Sequence, residues 1–303
     1  MLFLGFVRKA KKKAFSDGHI TGIIFHNPEK ATFNKAIRWL TRNGYSFIST
    51  KQLLEYIRNG STPPKGALWL TLDDGWKDNL FNVIPTIVKH KIPVTFFITT
   101  DPIENNRCFW WSLVNKYEKQ LLKYYRIKKK DLYYVSESQR KKIMIEMYKM
   151  YKENFYNEAM TIKELQDIVR IPYVSLGSHT VHHVITPNCT EEELRVEISE
   201  CKQKLENWTG TEVISFAYPS GRFDGKEINI LEEFGIEIAA TSENRLISIM
   251  DNPYLIPRFS AIDNGCHVEN ICRMVGIWEP AVQRIKKIVN QIQLKHSMRI
   301  QRC

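Results

Sequence analysis

Short apolar runs rich in β-branched and aromatic residues return along the chain, and helical stretches separate them. The runs at 20–25 (ITGIIF), 67–72 (ALWLTL), 94–99 (VTFFIT), 173–178 (YVSLGS), 213–219 (VISFAYP), 236–242 (IEIAATS) and 254–260 (YLIPRFS) have strand length. YSFIS is a further short strand. In 31–44 the apolar residues Phe33, Ala36, Ile37 and Leu40 recur at helical spacing, and Gly44 supplies a natural stop. Thr50 is the expected cap of the helix KQLLEYIRNG, and Pro85 sets a bend or a late start in the helix of 78–90. TEEELRVEISECKQKLENWTG (190–210) opens on a capping box, Thr190 with Glu193. Strands that alternate with helices predict an α/β fold with a mainly parallel sheet. So many such units favour a barrel over an open sheet, and in either case the working edge is the carboxyl end of the strands.

Residues 103–160 break this rhythm. They are long, helical, basic and aromatic, and read as an insertion between two strands, of the kind that forms lids or binding loops. The organisation expected is a basic N-terminal segment (1–18), a barrel (19–275) carrying that insertion, and a basic C-terminal helix or tail (276–303).

The apolar runs are too short for a membrane helix, which needs roughly 20 residues. The charge after MLFLGF follows the apolar stretch, the reverse of a secretory signal. The chain of 303 residues carries +11, concentrated as +4 in 1–20, +6 in 103–160 and +6 in 281–303. Nucleic acid would be the first partner to consider, yet no zinc-finger, RNA-recognition or helix-turn-helix signature is present, and none is expected to bind. Solvated ends or peripheral contact with an anionic membrane suit basic tails better. Cys108, Cys189, Cys201, Cys266, Cys272 and Cys303 form no CxxC pair and read as free thiols. With the reversed charge order at the start, this sets the expected location in the cytoplasm, with peripheral contact at the inner membrane face as the further expectation.

Three polar clusters follow apolar strands. Asp73 and Asp74 come directly after ALWLTL, His179 and His183 after YVSLGS, and Tyr218, Pro219 and Gly221 stand at the end of VISFAYP. Taken singly each is a common turn; together they occupy one sheet edge. Adjacent carboxylates repel unless a cation or proton lies between them. One Asp with two His suits Zn²⁺ or a similar divalent ion and leaves a position open for water. A second carboxylate beside it can take that water's proton, which is a hydrolase arrangement.

On these residues the sequence resembles the polysaccharide deacetylases, the NodB-homology or carbohydrate esterase family 4 group. Thr71-Leu72-Asp73-Asp74-Gly75 matches the first motif and His179-Thr180-Val181-His182-His183 the second, while Phe216–Gly221 matches the third in part. The resemblance spans about residues 19–275. It implies a distorted (β/α)7-type barrel and a metal-dependent de-N-acetylase of N-acetylated sugars. It casts Asp73 as general base, and Asp74, His179 and His183 as ligands of zinc, with nickel or cobalt also suited. It further casts the backbone N–H of Tyr218 as oxyanion donor and Thr180 as a brace of the histidine loop.

Two departures follow. Ala217 stands where the family often carries an arginine that orients the base, and Arg258 is the candidate replacement. The late acid histidine has no match; His267 and His296 follow no apolar strand. His26 does, at the end of ITGIIF, and looks like the permuted arrangement of poly-N-acetylglucosamine deacetylases, which implies His26 as general acid. His182 is expected beside the ligands or exposed. Trp76 and Trp111 offer flat apolar faces for pyranose rings, whereas Trp110 suits core packing. The substrate expected is an acetylated glycan or a lipid-linked sugar. N- and O-deacetylation stay open, and a catalytically degenerate carbohydrate-binding protein is the alternative.

Overall fold

The computed structural model describes residues 2–151, 157–280 and 282. The strands are β1 (His19–Phe25), β2 (Ser46–Ile48), β3 (Ala67–Leu72), β4 (Val94–Ile98), β5 (Val174–Ser178), β6 (Ser215–Ala217), β7 (Ile238–Ala240), β8 (Ile247–Ser248) and β9 (Phe259–Ser260). They form one sheet in the order β7-β6-β5-β4-β3-β1-β8, with β2 beside β3 and β9 beside β1. Every pairing between these strands is parallel except β1 with β8.

The sheet curls on itself. Ile256 bridges Ala240 of β7, and three residues later β9 begins to pair with Ile23 and Ile24 of β1. The short segment 256–260 thus joins the two ends of the parallel sheet, as the barrel expectation required. It is far less regular than a full strand: the bonds of Thr241 N–H to Ile256 and of Ile256 N–H to Ala239 make a single bridge, while Ala239 N–H bonds to Pro253 in the preceding loop.

Period-2 alternation along β3 divides the core. Leu68, Leu70 and Leu72 pack outward with Phe33, Ile37 and Leu40 of the helix Lys30–Arg42, the apolar stripe expected of it. Trp69 points the other way and meets Phe97 edge-on at 6.0 Å. Thr71 and Asp73 share the inward direction of Trp69, so a polar column rises through the barrel toward the carboxyl edge.

Several boundaries differ from expectation. The strands expected at 213–219, 236–242 and 254–260 shrink to β6, β7 and β9. Ser49, not Thr50, caps the helix Thr50–Asn59, in a capping box with Gln52. The Thr50 hydroxyl is needed inside, where it accepts from Trp69 Nε1 at 2.9 Å and pairs with Thr95 at 2.6 Å. Pro85 marks a late start: it lies in the first turn of the helix Ile84–His90.

Between β4 and β5 stand the helices Trp110–Lys116, Glu118–Tyr125 and Glu137–Met150. They enclose a small core of their own that includes Trp110, Leu113, Leu121, Leu132 and Met147. The five described cysteines are unpaired. The expected C-terminal tail, with His296 and Cys303, lies outside the described residues apart from 276–280 and 282.

Candidate metal centre

Asp73, Asp74, His179, Tyr218 and His26 each follow a strand by one or two positions at the carboxyl edge, while His183 lies five residues past β5 and Arg258 directly precedes β9. Asp73 and Asp74 leave β3, His179 leaves β5, Tyr218 leaves β6, His26 leaves β1, and Arg258 enters β9. Asp74 turns into the left-handed region at φ 76°, and Gly75 continues at φ 91°, which swings the second carboxylate away from the first. A Cβ on Gly75 would stand 3.1 Å from Ile98, so this turn is tight in space as well as in angle.

Asp74 Oδ1 lies 3.5 Å from His179 Nε2 and 3.5 Å from His183 Nε2. The three candidate ligand atoms all fall within 4.8 Å of one another. A tetrahedral ion with bonds of about 2.1 Å sets its ligands roughly 3.4 Å apart, so the spacing fits. Asp74 Oδ1 is buried and has no hydrogen-bond partner, while its Oδ2 accepts from Trp76 Nε1 at 2.9 Å. A buried carboxylate oxygen facing two imidazole nitrogens, with nothing bonded to it, is a donor set for a cation.

The electrostatics agree. Burial alone would raise the Asp74 carboxyl. The closeness of His179, and of His26 and His183 around it, outweighs burial and holds the group well below the usual carboxylate range. Burial, and then the charge of His179, drive His183 well below its ordinary value, so its ring is the neutral form that binds metal. His179 Nδ1 sits 2.7 Å from the Ala217 carbonyl and donates to it, which leaves Nε2 as the free lone pair.

Asp73 is held differently. Arg258, fully buried, grips it with two parallel bonds, Nη1 to Oδ1 at 2.8 Å and Nη2 to Oδ2 at 2.9 Å. The same guanidinium donates from Nε to the Thr241 carbonyl at 3.0 Å and from Nη1 to Thr71 Oγ1 at 2.8 Å. Asp73 Oδ2 is 4.0 Å from His179 Nε2, outside the ligand cluster yet next to it. The geometry therefore separates the two carboxylates, one facing the imidazoles and one locked to an arginine.

His26 is half-buried. Its peptide N–H donates to Asp263 Oδ1 at 3.0 Å, and its carbonyl accepts from Asn79 Nδ2 at 3.0 Å, so the backbone is fixed on both sides. Its charge acts on both Asp74 and His183. His267 is exposed on the helix His267–Met274. Thr180 accepts from the Val184 N–H at 3.1 Å across the histidine loop. His182 gives its N–H to Glu197 Oε2 at 2.9 Å and bonds Glu197 Oε1 through Nδ1 at 2.6 Å. Burial would lower its ring, but the hydrogen bond and charge of Glu197 raise it overall.

The Tyr218 assignment needs correction. Its peptide N–H donates to the Ala240 carbonyl at 3.0 Å, extending the β6–β7 ladder, and is not available to an oxyanion. Pro219 has no N–H, and the N–H groups of Gly221 and Arg222 close on Tyr218 and Pro219. Ser220, held at φ 57°, carries the first N–H of this turn without an acceptor among the described residues. The sequence signal for it was the proline itself: the first free donor after an X-Pro strand end is two residues on.

The tryptophans are also placed differently from an open sugar platform. Trp76 orients Asp74, and its ring packs 4.5 Å from Phe109. Trp111 stacks on Phe109 at 4.7 Å and meets the His183 ring at 4.4 Å. Both are half-buried, so only an edge of this stack reaches solvent. Trp110 is buried in the insertion core. Beside the stack a small cavity of about 50 Å³ opens between insertion and barrel, lined among others by Thr99, Phe109, Trp110, Trp111 and His182. None of Asp74, His179 and His183 lines it; Trp111 is the wall between cavity and metal centre.

A curled parallel sheet that gathers two imidazoles and two carboxylates at its carboxyl edge is the arrangement of a metal-dependent hydrolase. The chain belongs to the polysaccharide deacetylase family, whose model it matches over residues 60–239. It is 22% identical over 245 residues to the poly-β-1,6-N-acetyl-D-glucosamine N-deacetylase of Staphylococcus aureus strain MSSA476, covering 79% of this chain and 69% of that protein. Among solved structures it is similar to the Streptococcus pyogenes deacetylase PplD in complex with acetate (TM-score 0.63, 17% identity, 86% of this chain and 99% of that one). It is also similar to IcaB from Ammonifex degensii (TM-score 0.58, 17% identity, 80% and 91%). These structural likenesses bear out the (β/α)-barrel fold.

Proposed function

We propose that this protein is a metal-dependent carbohydrate deacetylase that removes N-acetyl groups from an N-acetylglucosamine polymer or oligomer. The observation that carries the reading is the unpartnered buried Oδ1 of Asp74, faced by two imidazole nitrogens at 3.5 Å, next to a carboxylate locked by Arg258. The substrate class rests on the relatives named as poly-β-1,6-N-acetyl-D-glucosamine deacetylases. Residues 19–275 are read as the catalytic barrel.

Asp74, His179 and His183 would hold the metal, with zinc the first choice and nickel or cobalt suited to the same donors. A divalent ion there supplies Lewis acidity to the acetyl carbonyl and acidifies water. Asp73 accepts the proton of the attacking water, and Arg258 keeps both its oxygens oriented and its charge stable. The Ser220 N–H donates to the oxyanion as the carbonyl becomes tetrahedral. His26 protonates the departing amine, which leaves as a free sugar amine with acetate as co-product. Trp111 forms the wall of the substrate cleft.

The zinc-loaded protein is expected to release acetate from β-1,6-linked N-acetylglucosamine oligomers, and chelation is expected to abolish this. His26→Ala should keep its zinc and lose about 10²-fold or more in turnover. Undiminished turnover in that variant would take His26 out of the mechanism. Binding of the oligomers without any acetate release would favour the carbohydrate-binding alternative, and release from O-acetylated glycans alone would make the protein an O-deacetylase.

The second partner in this reading is an anionic membrane, at its inner face. No described helix is long and apolar enough to cross a membrane. The helix Leu2–Ala14 buries Val7 and Ala14, and leaves Phe6 exposed among the exposed Arg8, Lys9, Lys12 and Lys13. Lys11 Nζ reaches Asn43 Oδ1 at 3.4 Å, and a separate groove is lined by Lys30, Arg38, Arg42, Lys89 and His90 and by no carboxylate. An apolar side chain ringed by cations suits lipid headgroups. Sedimentation with phosphatidylserine vesicles should be strong at low salt and lost at high salt. Equal sedimentation with neutral vesicles, or none, would refute the contact.

A further inference from the structure

We propose that Arg140, on the insertion helix Glu137–Met150, is a positioning residue that clamps the histidine loop and thereby sets the metal affinity of the site. The inference rests on the metal-site reading above and extends it to a residue outside the barrel.

The two candidate histidine ligands are secured by different means. His179 is oriented through its own ring, because Nδ1 donates to the Ala217 carbonyl. His183 has no such anchor: its Nδ1 is buried without a hydrogen-bond partner. Metal-binding histidines almost always use the second ring nitrogen to fix their orientation. Some other contact has to hold His183.

The loop also needs holding. Thr180 at φ 65° and His183 at φ 49° both lie in the left-handed region, which is costly for non-glycine residues and most of all for a β-branched threonine. Such a backbone persists only when its surroundings fix it. Glu197 grips the N–H side of the loop at His182. Arg140 grips the carbonyl side, with Nη1 donating to the His183 oxygen at 3.1 Å and Nη2 to the His182 oxygen at 3.4 Å.

Arg140 is built for this role rather than placed by chance. It is 2% exposed. Its Nε donates to Glu137 Oε2 at 2.8 Å, one turn earlier on the same helix. Its guanidinium carbon lies 4.7 Å from the centre of the Trp110 ring. Trp110 in turn meets Trp111 edge-on at 5.7 Å, and Trp111 packs on the His183 ring. The insertion thus reaches His183 twice, through its carbonyl and through its ring face. A planar, always-charged fork can serve two carbonyls and a carboxylate together; a lysine cannot.

The test compares wild type with Arg140→Lys and with the double variant Glu137→Gln/Arg140→Met, which avoids stranding a buried carboxylate. Zinc affinity is read by competition with a chromophoric chelator, and amide hydrogen exchange is read in the metal-free protein. The double variant should bind zinc roughly 10–100-fold more weakly. Its His182 and Val184 amides should exchange about tenfold faster or more, with β3 and β4 unchanged. Arg140→Lys should recover part of both losses. Wild-type zinc affinity with unchanged loop exchange would overturn the proposal. So would faster exchange spread evenly over the barrel, since that marks a general packing role. If wild type itself bound no zinc, the metal reading would fail, and loop exchange would still decide whether Arg140 clamps the loop.

Discussion

Asp73→Asn is expected to lower acetate release by about 10²–10⁴-fold while the protein keeps its zinc. Asparagine preserves the shape of the side chain and one acceptor for Arg258 but cannot take a proton from water. Asp73 is not among the clustered ligand atoms, and its nearer oxygen is 4.0 Å from His179 Nε2. Removing its charge should therefore leave the ion in place. The companion variant Asp74→Asn should do the opposite and release the metal, because its Oδ1 is the oxygen that both imidazoles face. Metal content by elemental analysis, read beside turnover, separates the two carboxylates. Loss of zinc from Asp73→Asn would make Asp73 a ligand and end its assignment as the base. Stability has to be followed in parallel, since Arg258 loses its counter-charge in this variant.

How much of this site could be seen in the chain depends on distance along it. Asp73, Asp74, His179 and His183 were legible because residues that directly follow parallel strands must arrive at one edge. His26 was legible for the same reason once β1 and β9 were expected to be neighbours. Arg258 was named as the candidate to orient the base, and the fold sets it against Asp73 across 185 residues of chain, a contact that spacing alone does not give. Arg140 left no signal at all. Its helix carries charges around most of its circumference, so nothing in ESQRKKIMIEMYKM marks one arginine as buried and its neighbouring lysines as solvated. The oxyanion donor was misplaced because the resemblance carried that role to Tyr218, whose peptide N–H the pairing of β6 with β7 uses. The Thr50 cap failed in a related way: two adjacent hydroxyl residues compete for a helix start, and the barrel interior claimed the second.

Arg258→Met should cost more stability than any other substitution in the site, about 3–5 kcal/mol in urea unfolding, because it strands the Asp73 carboxylate in the interior. Methionine roughly fills the space, so the loss is electrostatic rather than a cavity. Thr71 Oγ1 and the Thr241 carbonyl each lose a donor as well. Turnover should fall as well, because the base loses the two parallel bonds that orient its oxygens. The double variant Asp73→Asn/Arg258→Met supplies the control. Once the carboxylate is absent, removing the arginine strands nothing, so the two losses of stability should be far less than additive. Arg258→Lys should fall between, since an ammonium restores charge but not the paired hydrogen bonds. If the urea midpoint and turnover both stayed in place in Arg258→Met, the arginine would be shown to support neither the fold nor the base. The orientation of Asp73 would then have to come from Thr71 and the β3 turn alone.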